Sequence, residues 1–69
     1  MPATKTTTDR AETYNQEGLQ AYAEWDIERA VERFRAAIRL APERADFHLN
    51  LARALSRAGD FDQALRALA

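Results

Sequence analysis

Cysteine is absent from these 69 residues. That removes disulfides and thiolate metal sites, and it fits a reducing compartment. Histidine and serine occur once each, as His48 and Ser56. On one helix they stand about 12 Å apart along the axis, far beyond the roughly 3 Å that a nucleophile and its base require. A lone histidine without cysteine also falls short of a metal site. Gly18 and Gly59 are the only glycines, so no glycine-rich loop exists to cradle a phosphate. Glu24, Asp26 and Glu28 lack the glycine and the spacing of a calcium loop. No charge of one sign prevails: ten basic residues face eleven acidic ones, for a net charge of -1. This balance argues against general affinity for nucleic acid or an anionic membrane. No apolar run approaches the roughly 20 residues that span a bilayer. The first residues lack the apolar core of a secretion signal, so a cytoplasmic location is expected. Together these absences imply a non-enzymatic chain with no catalytic residue, metal or cofactor.

A chain of this size makes one domain. It buries only about 60% of the surface its unfolded form exposes, so every packed side chain counts. Residues 1–8 are polar and threonine-rich, which reads as a disordered tail. The domain proper is expected over 9–69.

The remaining sequence is patterned for helices. Asp9 with Glu12 three residues later resembles a capping box. Tyr14, Gly18, Ala21, Tyr22 and Trp25 follow as a helical stripe. Mid-helix Gly18 costs roughly 1 kcal/mol of propensity, and close approach of a second helix is the reason to expect for it. Asp26 is a natural cap for the next helix, and a connection this short forces an antiparallel hairpin. Ile27, Ala30, Val31, Phe34, Ala37, Ile38 and Ala41 give that helix a broad apolar face. Glu28, Arg29, Glu32, Arg33, Arg35 and Arg39 occupy its other side, a solvated face in which Glu32 and Arg35 are spaced to pair. Pro42 ends it. A third helix carries Phe47, Leu51, Leu55 and Ala58, with Leu49, Ala52 and Ala54 beside them. Gly59 fits a left-handed cap that ends it, and Asp60 fits the start of a short fourth helix.

One spacing governs all of this. Asp26, Ile27, Ala30, Val31 and Phe34 are matched thirty-four positions later by Asp60, Phe61, Ala64, Leu65 and Leu68. A fixed period of that length signals a stacked repeat.

With these residues at these places, the chain resembles the tetratricopeptide repeat family, whose unit is a helical hairpin of thirty-four residues. Counting Ala11 as position 1, Tyr14, Gly18, Ala30, Phe34, Ala37 and Pro42 suit the family pattern. Counting from Ala45, His48, Leu51, Ala52, Gly59, Phe61, Ala64 and Leu68 suit it again. Repeat one would cover 11–44 and a truncated repeat two 45–69. Three residues depart from the pattern. Glu17 stands for leucine, Ala21 for tyrosine and Trp25 for the turn glycine, with Tyr22 one residue on filling part of the tyrosine's volume.

The resemblance implies an all-α fold of four helices, the last truncated, stacked as a right-handed α-solenoid. It also implies a protein–protein interaction scaffold with a protein or peptide partner on its concave face. Carried over residue by residue, that face would use Asn15, Leu19 and Tyr22 from repeat one and Leu49, Asn50, Arg53 and Arg57 from repeat two. Leucine and tyrosine would give apolar contact, and the arginine forks suit a carboxylate. Some members clamp a C-terminal carboxylate with lysine and asparagine, but Asn15 and Leu19 stand where those would be, so that specificity is not carried over. A stacked repeat cannot cover its own apolar face. The second expectation is therefore self-association, with Phe61, Leu65 and Leu68 docking on another copy as a homo-oligomer.

Overall fold

The computed structural model describes the backbone of residues 3–68 and the side chains of 7–60, 62, 66 and 67. It contains three helices: α1 (Ala3–Ala23), α2 (Ile27–Leu40) and α3 (Ala45–Leu68). No strand occurs among the described residues. The fold is thus all-α and helical-repeat in pattern, but with three helices where the sequence implies four.

α1 and α2 form the expected antiparallel hairpin, joined with almost no loop. The Trp25 N–H donates to the Tyr22 carbonyl at 3.1 Å and the Asp26 N–H to the Ala21 carbonyl at 2.9 Å. This pair of bonds closes the end of α1 as a Schellman motif, which requires a left-handed residue just past the helix. That residue is Trp25, with φ of 63°. Asp26 serves both helices at once, because its Oδ1 also accepts from the Arg29 N–H at 3.4 Å and caps α2.

The hairpin is held by rings set against small side chains. Phe34 and Phe47 are the two largest fully buried side chains. Phe34 packs with Ala21, Ala30 and Ala54, flanked by Tyr22, Ile27, Val31 and Leu51. Phe47 packs with Ala11, Ala37 and Ala41, flanked by Tyr14, Ile38 and Leu40. Burying one such ring contributes about 1.5–3 kcal/mol. Gly18 makes room for the first: a Cβ there would stand 2.5 Å from Cε1 and 2.6 Å from Cδ1 of Phe34. The expected close approach is therefore between Gly18 and a ring of α2. Ala64, the third small residue of the pattern, lies outside the described side chains.

Four expectations change. α1 begins at Ala3 rather than Asp9, so the stretch read as a tail is helical from residue 3 onward. Asp9 lies inside the helix, where its carbonyl accepts from Thr13 Oγ1 at 3.0 Å. Extending a helix already nucleated by packing costs little per residue. Second, α3 runs unbroken through Gly59, which has no positive φ and no cap role. A glycine costs a helix only about 1 kcal/mol, and ending the helix there would leave its last carbonyls without helical partners. Third, α3 meets the hairpin through Phe47, Leu51 and Ala54, while Leu55 is exposed. Fourth, Glu32 pairs with Arg33, at 3.1 Å, rather than with Arg35.

The departure at Glu17 has a physical account. Arg33 Nε approaches Glu17 Oε1 to 3.1 Å, an ion pair across the hairpin without an aligned hydrogen bond. It stands where the family pattern has an apolar contact.

The two glycines should respond oppositely to alanine. Gly18→Ala gains helix propensity but overpacks against Phe34, for a net loss of about 1–2 kcal/mol. Gly59 has no atom within 4 Å of its missing Cβ, so Gly59→Ala should not destabilise the fold. Urea unfolding monitored by circular dichroism checks both signs.

Candidate partner-binding surface

The surface expected to bind a partner lies where α1 and α3 come together. On α1, Asn15, Leu19 and Tyr22 fall at i, i+4 and i+7, which places them along one stripe. On α3, Leu49, Asn50, Arg53 and Arg57 fall at i, i+1, i+4 and i+8, on one side of the helix. Two contacts join the stripes. Asn50 Nδ2 donates to Asn15 Oδ1 at 2.9 Å. Further along, the Arg57 guanidinium lies over the Tyr22 ring, 4.2 Å from its centroid.

These residues divide into three kinds. Leu19 and Leu49 are open, at 39% and 53% exposure, and Arg53 is also exposed. Asn50, Tyr22 and Arg57 are half-buried. Asn15 is only 5% exposed, which withdraws it from the set that touches a partner. Burial of an amide requires a hydrogen bond, and an unmade one costs about 1–3 kcal/mol. Asn15 therefore ties α1 to α3 and orients Asn50, whose other amide functions remain free to face a ligand.

Trp25, expected as the last member of the α1 stripe, stands past the end of that helix and was not among the residues expected to meet a partner. Its indole is 62% exposed, and Arg57 stacks over it as well, 4.0 Å from the ring centroid. Arg57 is thus held by two aromatic rings from the end of the first helix. Each such contact contributes about 0.5–1 kcal/mol at an exposed site. A guanidinium engages a ring through its face, leaving its N–H edge for a carboxylate. The readable signal was a tryptophan at the glycine position of the turn.

Arg44 was also missed. It bridges Glu12 of α1 at 2.7 Å and Asp46 of α3 at 2.8 Å, with a second bond from Nε to Asp46 at 3.0 Å. Its guanidinium lies 4.3 Å above the Phe47 ring. This latch fixes the α2–α3 connection to the hairpin. Next to it, His48 Nε2 lies 2.8 Å from the Pro42 carbonyl, which makes that nitrogen the donor and the histidine a structural one. The hydrogen bonds from Arg44 hold the Asp46 carboxyl below the usual carboxylate range, and those to Asp46 and Glu12 raise Arg44 in turn.

Among the described residues no group of three or more His, Cys, Asp or Glu side chains could hold a metal ion. No described helix is long and apolar enough to cross a membrane. The side chains of Phe61, Leu65 and Leu68, expected to carry self-association, lie outside the described residues.

Comparison with known families gives one match. A tetratricopeptide repeat family model matches residues 21–69, and the chain belongs to that family. No curated protein and no solved structure matches it significantly. Tetratricopeptide repeats generally mediate protein–protein interaction, and the family is typically non-enzymatic.

The latch has a pH signature. Asp46 carries a depressed pKa in the folded state. Its stabilising contribution is therefore complete above the ordinary aspartate value, near about 3.9, and is lost as pH falls through the lower folded value. Arg44→Met should flatten the fall in urea midpoint below about pH 4, relative to the unaltered chain.

Proposed function

We propose that this chain is a protein-interaction module that takes an extended acidic peptide along the α1–α3 surface. The geometry around Arg57 carries the reading: an arginine already positioned by Tyr22 and Trp25, on helices that also expose two leucines. Positioning before binding lowers the entropy cost of association. Leu19, Leu49 and the free edge of Tyr22 supply apolar contact, Asn50 reaches the peptide backbone, and Arg53 and Arg57 take side-chain or terminal carboxylates. The finer architecture belongs to the same proposal: the three helices are the opening of a right-handed stack in which further helices would extend this surface. The expected setting is cytoplasmic.

Peptides selected on the full chain from a random displayed library test this. The expected ligands combine carboxylates with an apolar residue. A charge-assisted hydrogen bond contributes about 1.5–3 kcal/mol, so Arg53→Ala should weaken a selected peptide by at least about tenfold. Leu49→Asp should abolish binding, with helical content retained. Selected peptides without acidic residues, or affinity unchanged in Arg53→Ala, would overturn the assignment.

A further inference from the structure

Trp25 occupies a place where a glycine would cost the fold less. Its φ of 63° lies in the left-handed region, which strains a bulky residue and leaves glycine unstrained. Thirty-four positions later, at the equivalent place of the second repeat, the chain carries Gly59. The indole is not used to fill a core either, since Trp25 is 62% exposed. Strain held at an exposed aromatic residue calls for a use that packing does not supply.

That use is Arg57, whose guanidinium lies 4.0 Å from the Trp25 ring centroid and 4.2 Å from that of Tyr22. Arg33, Arg44 and Arg57 are the half-buried arginines of the described residues. Arg33 pairs with Glu17 and Glu32, and Arg44 with Glu12 and Asp46. Arg57 differs: among the described residues no carboxylate lies within ion-pair distance of it. The acidic neighbours of Trp25 are turned to other bonds. Glu24 accepts from Gln20 Nε2 at 3.1 Å, and Asp26 caps α2. Aromatic rings engage the flat face of a guanidinium and leave its N–H edge open. A half-buried cation held this way and given no carboxylate of its own is prepared to receive one.

We infer that Trp25 is the positioning residue of the partner site: the turn gives up fold stability so that the indole can hold Arg57 ready for a carboxylate. The inference rests on the acidic-peptide reading above and deepens it, by naming the residue that sets the strength of one contact. Arg53 and Arg57 stand one helical turn apart but differ in kind. Arg53 is exposed and has no ring contact or ion pair among the described residues, so a ligand must order it. Arg57 is ordered beforehand and loses less side-chain freedom on binding. Removing the indole therefore weakens binding while relieving the turn. A tie that merely fastened α3 to the hairpin would instead lose stability when cut.

Acidic peptides selected on the full chain serve as the probe. Trp25→Gly should weaken such a peptide by about threefold to tenfold, while the urea midpoint of the free protein stays equal or rises. Trp25→Phe keeps a ring at the turn and should recover most of the lost affinity. On an Arg57→Ala background, adding Trp25→Gly should change affinity by less than about twofold, because the indole acts through Arg57. One readout needs no peptide. In the free protein the NMR signal of the Arg57 Nε–H group should be ordered and shifted by the rings, and Trp25→Gly should remove both features. A lower urea midpoint in Trp25→Gly would make the indole a structural tie and overturn the inference. So would unchanged affinity, additivity with Arg57→Ala, or a mobile Arg57 side chain in the unaltered protein. The two readings fail separately: acidic peptides that bind Trp25→Gly at full strength remove the inference alone, whereas selection of peptides without acidic residues removes both.

Discussion

The contact between Gly18 and Phe34 sets the distance between the first two helices, and the rest of the molecule is built on that distance. Phe34 occupies the space where any other residue at 18 would place a Cβ. With the ring seated there, Phe34 shares its cluster with Ala54 of α3. One side chain therefore fixes two helix spacings. Phe47 repeats the arrangement one turn-pair away, against Ala11, Ala37 and Ala41. A small chain has little area to bury, and two rings in close-fitting beds of alanine concentrate that burial where it sets geometry.

The hairpin was legible because its signals are local and agree with one another. The small residues Gly18 and Ala30, the ring at Phe34, the cap at Asp26 and the stop at Pro42 all specify the same short-range structure. The end of α3 was not legible for the opposite reason. Gly59 and Asp60 carry a turn signal, but a helix breaks only if the returning segment gains more by packing than the helix gains by continuing. That balance depends on what lies alongside, which no local pattern records. Ala3–Thr8 poses the same question at the other end, where a helix propagates past a residue that looked like its cap.

The partner-binding surface was legible by position and less so by role. The family register named the residues that line the α1–α3 junction, where Arg57 meets Tyr22 and Asn50 meets Asn15. It did not separate Asn15, which is spent on an internal bond, from Leu19 and Leu49, which face water. Arg44 escaped notice because its partners, Glu12 and Asp46, come from two different helices, and pairs of that kind are invisible to helical spacing. Trp25 escaped because a departure from a pattern is easily read as a missing glycine rather than an added ring. It supports Arg57 from the turn that ends α1.

The double duty of Asp26 has a consequence for how this hairpin can change. Its N–H closes α1 while its carboxylate opens α2, so the junction contains no spacer residue. One inserted amino acid would separate the N–H that closes α1 from the carboxylate that opens α2, so that no single residue could serve both helix ends. A change of length at this corner therefore costs the caps of both helices at once.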